Sequence, residues 1–398
     1  MQDVLGNAAG VVEDAAERLA AGRTPPADWY TSAGVHELER ARVFRGRWQL
    51  VGSAADVAEP GQYVVVPLDE HADYIVLRGD DGVLRAFANV CPHRGNVLLA
   101  GQGTCANVRC GYHAWTFGLD GALRTGPGLK DLAGFDRSEH GLIAASVATW
   151  GPFVFMNTDP DAGPLLDYLG DIPRVLGSYG IDLAEVAANA KTRVVTADLR
   201  CNWKIAVENA LECYHCATVH PGFNATVDLP GWQITLGDAS VVQGTTIRHR
   251  DDGTVGAHHD EAPAGQLAAA LVGTPDGMDQ AKFHWLFPNN SISLWPGPAN
   301  SFNIARWIPR GPHLTTWWSI RWWPSDVDDT VIEDQWAFMS SVGWEDRDII
   351  ESVHRGMRSG SWPGGPLVLQ DRDASCATVR DERGAHLLNT LVAQAILG

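Results

Sequence analysis

The sequence predicts an α+β fold in which a small all-β module is inserted into a larger domain of helices and strands. From Trp48 to about Val154, short β-rich segments are separated by Gly, Asp and Pro turns. After Pro173, helical stretches alternate with long β segments such as TTWWSIRWW. The predicted parts of the chain are residues 1–45, 46–155 and 156–398, of which the first and last form the larger domain.

Two further segments of the chain have their own sequence patterns. The first 45 residues have apolar side chains at helical spacing and a turn at Thr24-Pro25-Pro26. The segment from Ala257 to Asp279 is rich in Gly, Ala, Pro and Asp, which predicts a long loop. No internal repeat or low-complexity tract interrupts the chain.

Composition and charge narrow the class of protein. With 398 residues, 45% hydrophobic and 20% charged, the chain is long enough for two globular domains. A net charge of −18 argues against nucleic acid as a partner, because phosphate binding needs clustered Lys and Arg. No apolar run approaches the roughly 18 residues of a membrane helix. The acidic N-terminal segment does not resemble a signal peptide, so we expect a cytoplasmic protein without membrane contact.

Seven cysteines in such a chain are expected to be metal ligands or buried thiols rather than a disulfide framework. Four residues carry the clearest pattern: Cys91-x-His93 in CPHRG and Cys110-x-x-His113 in CGYHAW. Each half offers one thiolate and one imidazole from a tight turn. That division fits a Rieske [2Fe-2S] cluster, in which two Cys hold one iron and two His hold the other. Structural zinc is the main alternative, but its motifs pair C-x-x-C with H-x-x-x-H. Cys105 is interpreted as a plain thiol.

A second motif, LECYHCATVHP at residues 211–221, allows three interpretations. Cys213-x-x-Cys216 could be half of a zinc or redox motif, but Ala217 excludes a C-x-x-C-H haem site and no second C-x-x-C follows. The run could also be a helix end that carries two structural histidines. The third possibility is that His215 and His220 bind iron, which requires the helix to end or distort between them, because five residues span about 500°. Pro221 makes such an ending plausible.

Upstream of these histidines, periodicity predicts a helix that begins near Asn202. Glu208, Glu212 and His215 follow at i, i+4 and i+7, which places them on one helix face. With a cluster motif in the same chain, we favour the iron interpretation.

CPHRG with CGYHAWTFGLDG, followed by NWKIAVENALECYHCATVHP, resembles the oxygenase (α) subunits of Rieske non-haem iron oxygenases. The resemblance covers nearly the whole chain. It implies a Rieske domain at 46–155 and a helix-grip-like catalytic domain, with an antiparallel sheet around a long helix, formed by 1–45 and 156–398. It also implies a mononuclear Fe(II) at His215 and His220, and it places Glu212 at the acidic position that bridges the two metal centres.

The resemblance further implies that the third iron ligand belongs to an E-D pair opening a late helix, here Glu345-Asp346. Periodicity agrees, since Asp346, Ile350, Val353 and Met357 fall on one predicted apolar face. We therefore choose Asp346, although a helix N-terminus also favours Asp without any metal. The other acidic candidates are Asp348, Asp371 and Asp373, of which the first points elsewhere and the others lie in a polar turn.

The resemblance also implies a mechanism and an assembly. Electrons pass singly from the cluster to the iron, which binds O2 beside the substrate. No GxGxxG fingerprint is present, so a separate NAD(P)H-dependent reductase is expected. Family members form head-to-tail homotrimers, in which Glu212 would connect His113 of one chain to His215 of the next. Alternatively, Glu212 only fixes the tautomer of His215 in its own chain.

Substrate predictions rest on the ECYHC run. With Glu at the bridging position, it resembles the branch acting on glycine betaine, stachydrine, carnitine and choline, where hydroxylation of an N-methyl group leads to loss of formaldehyde. Aromatic rings, including the pairs Trp317-Trp318 and Trp322-Trp323, could hold such a cation, although core packing explains most of the 16 tryptophans equally well.

Two alternatives stay open. One is a hydroxylase of an aromatic or natural-product scaffold, whose carboxylate could pair with Lys204, Arg306 or Arg321. The other is a Rieske electron carrier without oxygenase chemistry, which would contain no iron beyond the cluster.

Overall fold

The computed structural model describes residues 2–178, 182–246, 280–295, 301–370 and 376–398. The chain forms two compact units. The inserted unit is Arg45–Gly170, and the main unit combines Met1–Phe44 with Asp171–Gly398. The long loop predicted for 257–279 lies outside the described residues.

The helices and strands have the following bounds. The helices are α1 (Gln2–Ala20), α2 (Ala27–Thr31), α3 (Ala33–Glu39), α4 (Leu165–Leu169), α5 (Ile172–Ser178), α6 (Leu183–Asn189), α7 (Trp203–Ala210), α8 (Cys216–Val219), α9 (Pro221–Thr226), α10 (Asp329–Met357) and α11 (Arg383–Leu397). The strands are β1 (Gln49–Ser53), β2 (Gln62–Pro67), β3 (Asp73–Arg78), β4 (Leu84–Ala88), β5 (Gln102–Thr104), β6 (Val108–Arg109), β7 (Thr116–Phe117), β8 (Leu123–Thr125), β9 (Ala144–Trp150), β10 (Phe153–Asn157), β11 (Ala190–Leu199), β12 (Gln233–Leu236), β13 (Ser240–Thr246), β14 (Gln280–Leu286), β15 (Asn290–Trp295), β16 (Ser301–Pro309), β17 (Thr315–Pro324) and β18 (Ala377–Thr378). In the part of the chain that the structure describes, no helix is both long and apolar enough to cross a lipid bilayer.

The inserted unit is built from two antiparallel sheets. One has seven strands in the order β1-β10-β9-β4-β3-β2-β5, and the other has three in the order β6-β7-β8. Side chains alternate across β3, so that Ile75 and Leu77 pack on the face that carries Cys91 and Cys110, while Val76 packs on the opposite face. The β-rich pattern of the sequence thus forms a module with the two cysteine turns on one side of its larger sheet.

The end of the inserted unit lies beyond β10. The sequence predicts this boundary at 155, whereas the compact unit continues to Gly170. The indole of Trp48 donates a hydrogen bond to the carbonyl of Gly163 at 3.0 Å, and Leu165 and Leu169 of α4 are buried. These contacts attach the segment after β10 to the module.

The main unit contains an eight-stranded antiparallel sheet in the order β11-β17-β16-β15-β14-β13-β12-β18. The long helix α10 packs against α7 and α9. The indole of Trp323, on β17, donates to the side chain of Gln335, on α10, at 2.6 Å. The predicted combination of an antiparallel sheet and a long helix is confirmed.

The long helix begins much earlier than predicted. The predicted helix opens at Glu345-Asp346, but α10 starts at Asp329, so both residues lie in its interior. The Asp328 side chain caps the first turn by accepting the amide of Thr330 at 2.8 Å. No Pro interrupts the following residues, and Gly343 is tolerated within a long helix. Asp346 is therefore not a capping residue.

The N-terminal segment packs within the main unit. Helix α1 contacts α3 and the C-terminal helix α11. Trp29 donates a hydrogen bond from its indole to Asn389 at 2.7 Å, which connects α2 to α11. Lys204 on α7 forms a fully buried ion pair with Glu39 on α3. Helix α7 therefore packs against α3, from the N-terminal segment, and also against α11.

Candidate cluster site and candidate iron site

Two matching turns in the inserted unit present the four predicted cluster ligands. In each turn the amide four residues after the cysteine bonds to the cysteine carbonyl, at 2.9 Å from Gly95 to Cys91 and at 3.1 Å from Ala114 to Cys110. Gly95 and Ala114 both have left-handed backbone, with φ of 72° and 57°. The two cysteines consequently occupy equivalent positions in the two turns.

Within these turns the cysteines are buried and the histidines lie nearer the surface. Cys91 and Cys110 are each 2% exposed, and their thiols are within hydrogen-bonding reach of each other. The ring centroids of His93 and His113 are 4.9 Å apart. The structure therefore brings the two thiols together and the two imidazoles together, which is the donor arrangement that a [2Fe-2S] cluster with two cysteine and two histidine ligands requires.

The orientation of His113 supports the same fit. Its Nδ1 atom is buried and has no hydrogen-bond partner among the described residues. A buried ring nitrogen without a partner is costly, and coordination to a metal would satisfy it. Desolvation and the nearby His93 and Arg94 lower the pKa of His113, which favours the neutral imidazole that metals bind. The ring of His93 is fixed by stacking on Trp115, with centroids 4.5 Å apart.

The thiols have different electrostatic surroundings. Burial raises the pKa of Cys91. Burial acts in the same direction on Cys110, but the backbone amides of Tyr112 and His113 stabilise its thiolate and lower its pKa overall. Cys105 is a half-buried free thiol whose pKa is raised by burial, and it is not part of either turn.

The candidate iron site lies in the main unit, where the chain breaks between two histidines. Helix α8 ends at Val219, and His220 has a non-helical backbone with φ −118° and ψ 74° before α9 begins at Pro221. The rings of His215 and His220 are consequently brought to a centroid distance of 5.2 Å. The break that the spacing required is present.

Asp346 approaches both histidines from the long helix. Its Oδ1 atom lies 2.9 Å from Nε2 of His220 and 3.3 Å from Nε2 of His215. Two imidazole nitrogens and one carboxylate oxygen thus face a common point. This donor set is that of a 2-His-1-carboxylate iron site, which leaves coordination positions open.

Glu208, Glu212 and His215 do not share one helix face, which corrects the prediction. Helix α7 ends at Ala210, and Glu212 lies in the following turn. Glu208 instead faces the core, where it accepts hydrogen bonds from Tyr30 at 2.8 Å and from Asn389 at 2.7 Å. The helical period was extended past Ala210 as far as His215, because no Pro or Gly marks the end of α7 in the sequence.

Each histidine is oriented by its own carboxylate. Glu212 contacts Nδ1 of His215 at 2.5 Å, and Glu345 contacts Nδ1 of His220 at 2.7 Å. Both contacts leave Nε2 of the ring directed at Asp346. Carboxylates in this position fix the tautomer and orientation of metal-binding histidines. Sequence analysis assigned no role to Glu345, although its position beside Asp346 was recognised.

Asn209 is a further contact that sequence analysis missed. Its side-chain amide donates to Oδ1 of Asp346 at 2.7 Å. Asn209 is the second-last residue of α7, and Asp346 is in the middle of α10, so the contact joins the two helices that carry the site. Only the packing of these helices, and no local spacing, brings the two residues together.

The charges of the site favour a bound cation. Burial opposes protonation of His215, but its hydrogen bonds to Asp346 and Glu212 outweigh burial and raise its pKa to about 10. The pKa of His220 is also raised by Asp346, against the effect of burial. Burial favours the neutral form of Asp346, yet the two histidines lower its pKa to about 2. Protons on the two histidines therefore balance the negative charge of the carboxylates. A bound divalent metal ion would balance the same charge.

Cys213 and Cys216 form a disulfide, which corrects the expectation that the cysteines are ligands or thiols. Their Cα atoms are 5.0 Å apart, because one turn of chain separates them, and this distance lies within the range for disulfides. Cys216 lies close to both histidines, but its sulfur is used in this bond. The pair therefore supplies no thiolate to the site.

The sequence offers three other acidic residues as candidates for the third iron ligand. Asp348 is exposed on α10, whereas Asp371 and Asp373 lie outside the described residues.

The predicted apolar face of the helix is only partly buried. Ile350 is buried, but Val353 is 42% exposed, because it falls on the outer side of α10.

A cavity of about 660 Å³ opens on the iron site. His215, His220 and Asp346 form part of its wall, and β11 and β14 to β17 contribute much of the rest. Its aromatic residues are Phe223, Trp232, Phe283, Trp285, Trp307, Trp317, Trp336 and Trp344. The wall is therefore mainly apolar, with charged groups concentrated at the iron site and at a few further positions.

Strand alternation decides which predicted residues reach this cavity. On β17, Trp317 and Arg321 line it. Trp318 and Trp322 lie on the other face of the strand, where Trp322 packs near Phe302 with ring centroids 6.1 Å apart.

Of the three cations considered as carboxylate partners, only one lines the cavity. Arg321 lines the cavity, and Arg306 is not among its lining residues. Lys204 is buried against Glu39, away from the cavity wall, so it cannot bind a substrate there.

Comparisons with known proteins agree with this geometry. Residues 47–136 match the family model of the Rieske [2Fe-2S] domain. Residues 187–398, more than half of the chain, match the model described as ring hydroxylating alpha subunit (catalytic domain). The chain belongs to the Rieske oxygenase alpha subunits. A Rieske oxygenase alpha subunit contains a [2Fe-2S] cluster and a mononuclear iron, and the donor groups described above fit both.

Two groups of relatives cover most of this Rieske oxygenase subunit. It is 30% identical over 389 residues to the carnitine monooxygenase oxygenase subunit of Acinetobacter pittii, covering 93% of this chain and 94% of that protein. It is 28% identical over 356 residues to the chloroplastic choline monooxygenase of Spinacia oleracea, covering 87% of this chain and 74% of that protein.

Solved structures are similar over the same extent. A quaternary ammonium Rieske monooxygenase in complex with L-carnitine has a TM-score of 0.74 and 26% identity, covering 93% of this chain and 94% of that chain. Naphthalene 1,2-dioxygenase from Rhodococcus sp. has a TM-score of 0.73 and 21% identity, covering 98% of both chains, and it shares the fold.

Proposed function

We propose that this Rieske oxygenase subunit is the terminal oxygenase of a monooxygenase that hydroxylates or N-demethylates a small quaternary ammonium compound. The observation that carries the proposal is the convergence of His215, His220 and Asp346 on the wall of an aromatic-lined cavity. Relatives that cover over nine-tenths of the chain are carnitine monooxygenase subunits, which supports the substrate class. Choline monooxygenases give similar support.

The residue assignments follow from donor chemistry. Cys91 and Cys110 would hold one iron of the cluster, and His93 and His113 would hold the other. His215, His220 and Asp346 would hold the mononuclear iron, which would supply the activation of O2. Two buried thiols, a buried Nδ1 without a partner and converging Nε2 atoms support these assignments.

The surrounding residues of the chain prepare the site. Glu212 and Glu345 hold the proton on Nδ1 of His215 and His220, so that each Nε2 presents its lone pair. Asn209 orients the Asp346 carboxylate. Aromatic rings hold a quaternary ammonium group by cation–π attraction, worth about 0.5–2 kcal/mol for each contact, and keep water away from the reacting methyl group.

Electron supply and assembly form part of the same proposal. The cluster would receive its electrons from a separate NAD(P)H-dependent reductase, since the sequence has no dinucleotide fingerprint of its own. The subunits assemble as a head-to-tail homotrimer, and Glu212 transmits electrons from His113 of one subunit to His215 of the next. Within one chain, Glu212 is already bonded to His215 and to the amide of Tyr214, which supports a positioning role in either case.

Metal analysis and product analysis test the proposed function. Anaerobically purified protein should contain three irons and two sulfides per chain, whereas an electron carrier would contain two of each. With a surrogate reductase, NADH and O2, one of carnitine, γ-butyrobetaine, glycine betaine or choline should be consumed with uptake of one oxygen atom. Consumption of aromatic acids alone, with all four quaternary amines untouched, would refute the substrate class.

A further inference from the structure

We propose that Arg321 forms a carboxylate-binding subsite in the iron-site cavity, and that the substrate is a betaine, which carries a carboxylate as well as a quaternary ammonium group. This inference rests on the proposed function and narrows its substrate class. Choline-type alcohols, which have no carboxylate, are predicted to be poor ligands.

The first observation is the burial of Arg321. Its side chain lines the cavity and the residue is only 7% exposed. Its hydrogen bond is donated to the hydroxyl of Ser301 at 2.7 Å, and among the described residues no carboxylate pairs with it. Burial lowers the pKa of Arg321 to about 10, so the guanidinium stays charged at neutral pH. A buried cation without a counter-ion is costly, and an anionic ligand would remove that cost.

The second observation is that other arginines around the cavity are neutralised. Arg193 is the direct cross-strand neighbour of Arg321, and it forms an ion pair with Glu333 on α10. Arg347 lines the cavity and pairs with Glu351 at 3.1 Å. Among the described arginines and lysines of the cavity wall, Arg321 alone therefore has its charge available to a ligand.

The third observation concerns the polar groups beside Arg321. Ser319 lies two residues earlier on β17, and Asn303 lies opposite Arg321 on β16. Both line the cavity, but the Ser319 hydroxyl donates to Asn303 at 2.5 Å and the Asn303 amide donates to Ser293 at 3.3 Å. These side chains satisfy one another, which leaves the guanidinium as the strong donor of this part of the wall. Guanidinium groups bind carboxylates through two parallel hydrogen bonds.

The lining of the cavity also favours a zwitterion. Aromatic rings of the wall can hold a quaternary ammonium group by cation–π attraction, and Arg321 places a cation elsewhere on the same wall. A betaine satisfies both parts of the wall when its ammonium group lies against the rings and its carboxylate is at Arg321. A ligand with only a positive charge gains nothing at the guanidinium and is repelled by it.

Binding measurements with matched ligands test the inference. The holoprotein, with cluster and iron but without reductant, is titrated calorimetrically with γ-butyrobetaine and with γ-butyrobetaine amide, which keeps the ammonium group but has no carboxylate. The parent should bind the betaine at least about tenfold more tightly, the effect expected of hydrogen bonds to a charged group. Arg321→Gln should abolish this preference, Arg321→Lys should retain part of it, and the control Arg193→Gln should retain all of it.

The outcomes separate the inference from the proposed function. Equal binding of the betaine and its amide by the parent would overturn the carboxylate subsite while leaving a quaternary ammonium oxygenase in place. A preference that persists in Arg321→Gln would also overturn it. Failure of the parent to bind either compound, together with turnover of aromatic acids, would overturn the proposed function and this inference with it. The comparison within the parent needs no variant, so a folding defect of Arg321→Gln cannot obscure the result.

Discussion

At the iron site, Glu212 contacts Nδ1 of His215 at 2.5 Å and Glu345 contacts Nδ1 of His220 at 2.7 Å. The first carboxylate is three residues from its histidine, but the second is 125 residues away. Local spacing therefore indicated Glu212, whereas the role of Glu345 depends on how α10 packs. The proposed cluster ligands have a clearer signal in the sequence, because each Cys and His pair lies within one short turn.

Removing the Glu345 carboxylate should weaken iron binding. In Glu345→Ala, Nδ1 of His220 loses its partner and the ring is free to change tautomer, so iron affinity should fall by about 10- to 100-fold. Iron content after dialysis against a chelator measures the effect, while the visible spectrum of the cluster should stay unchanged. Asp348→Asn removes an exposed carboxylate three residues further along the same helix and serves as the control. Equal iron retention in the two variants would contradict the positioning role.

Glu208 gives a prediction about pH. Burial raises the pKa of its carboxyl from 4.5 to about 7. The folded state therefore binds this proton more tightly than the unfolded state. Below pH 4.5 the group contributes its full stability, and this contribution is lost as pH rises through 7. Glu208→Gln keeps an acceptor for Tyr30 and Asn389 without the titrating proton.

We expect Glu208→Gln to be as stable as the parent at pH 4.5 and more stable at pH 8, by on the order of 3 kcal/mol. Urea unfolding at a series of pH values measures the difference between the two proteins, in which contributions from other titrating groups cancel. A constant difference across this range would show that Glu208 does not titrate there.

At the scale of elements, sequence reasoning found the strands and the sheet type but misplaced two helix ends. Helix α10 begins at Asp329 because Asp328 caps it, and sequence analysis gave more weight to the acidic pair at Glu345-Asp346. Helix α7 ends at Ala210 without a Gly or Pro signal. Both errors concern helix boundaries: the start of α10 has a local capping signal that received too little weight, whereas the end of α7 has no such signal.

The contact between α3 and α7 rests on a buried ion pair. Lys204 and Glu39 have no exposed side-chain surface, and the ammonium lies 5.0 Å from the ring centroid of Trp29 and 5.5 Å from that of Tyr30. Glu39→Gln removes the counter-ion and leaves a buried charge unpaired. Unfolding free energy should fall by about 3–5 kcal/mol, as measured by urea denaturation.

A double variant and a surface control complete this test. Glu39→Leu with Lys204→Met removes both charges, so much of the lost stability should return. Asp171→Asn breaks the exposed pair with Arg174 and should have no measurable effect. If the double variant were less stable than Glu39→Gln alone, the cost of an unpaired charge would not be the explanation.

At the scale of the whole molecule, the resemblance predicted the two kinds of metal centre and their order along the chain. The family models match both regions, at 47–136 and 187–398. The disulfide of Cys213 and Cys216 was not predicted, because the same spacing also occurs in metal and redox motifs. The residues that line the cavity also could not be predicted from the sequence, because they come from many separate strands.

The proposed inter-subunit route can be tested by complementation. Asp346→Ala should retain the cluster but lose the mononuclear iron, and Cys91→Ser should lose the cluster but retain the iron. Each variant alone should be inactive. Coexpressed, they should form mixed assemblies in which one subunit's cluster serves a neighbour's iron, and turnover should recover to a fraction of the parent rate.

The complementation experiment has a direct control. The two variants are also purified separately and mixed without subunit exchange, which should give no turnover. Inactivity of the coexpressed assemblies, with both variants shown to be present in them, would mean that electrons travel only within a chain.

The hydrogen bond between Trp29 and Asn389 spans 360 residues. On a ribosome that adds about 5–20 residues per second, Trp29 is made roughly 20–70 s before its partner. Arg45–Gly170 has its own hydrophobic cores and can fold as soon as it emerges, while α1 to α3 still lack the helix against which they pack. Folding during synthesis is therefore expected to begin in the inserted unit, and α1 to α3 can complete their packing only after α11 has emerged from the ribosome.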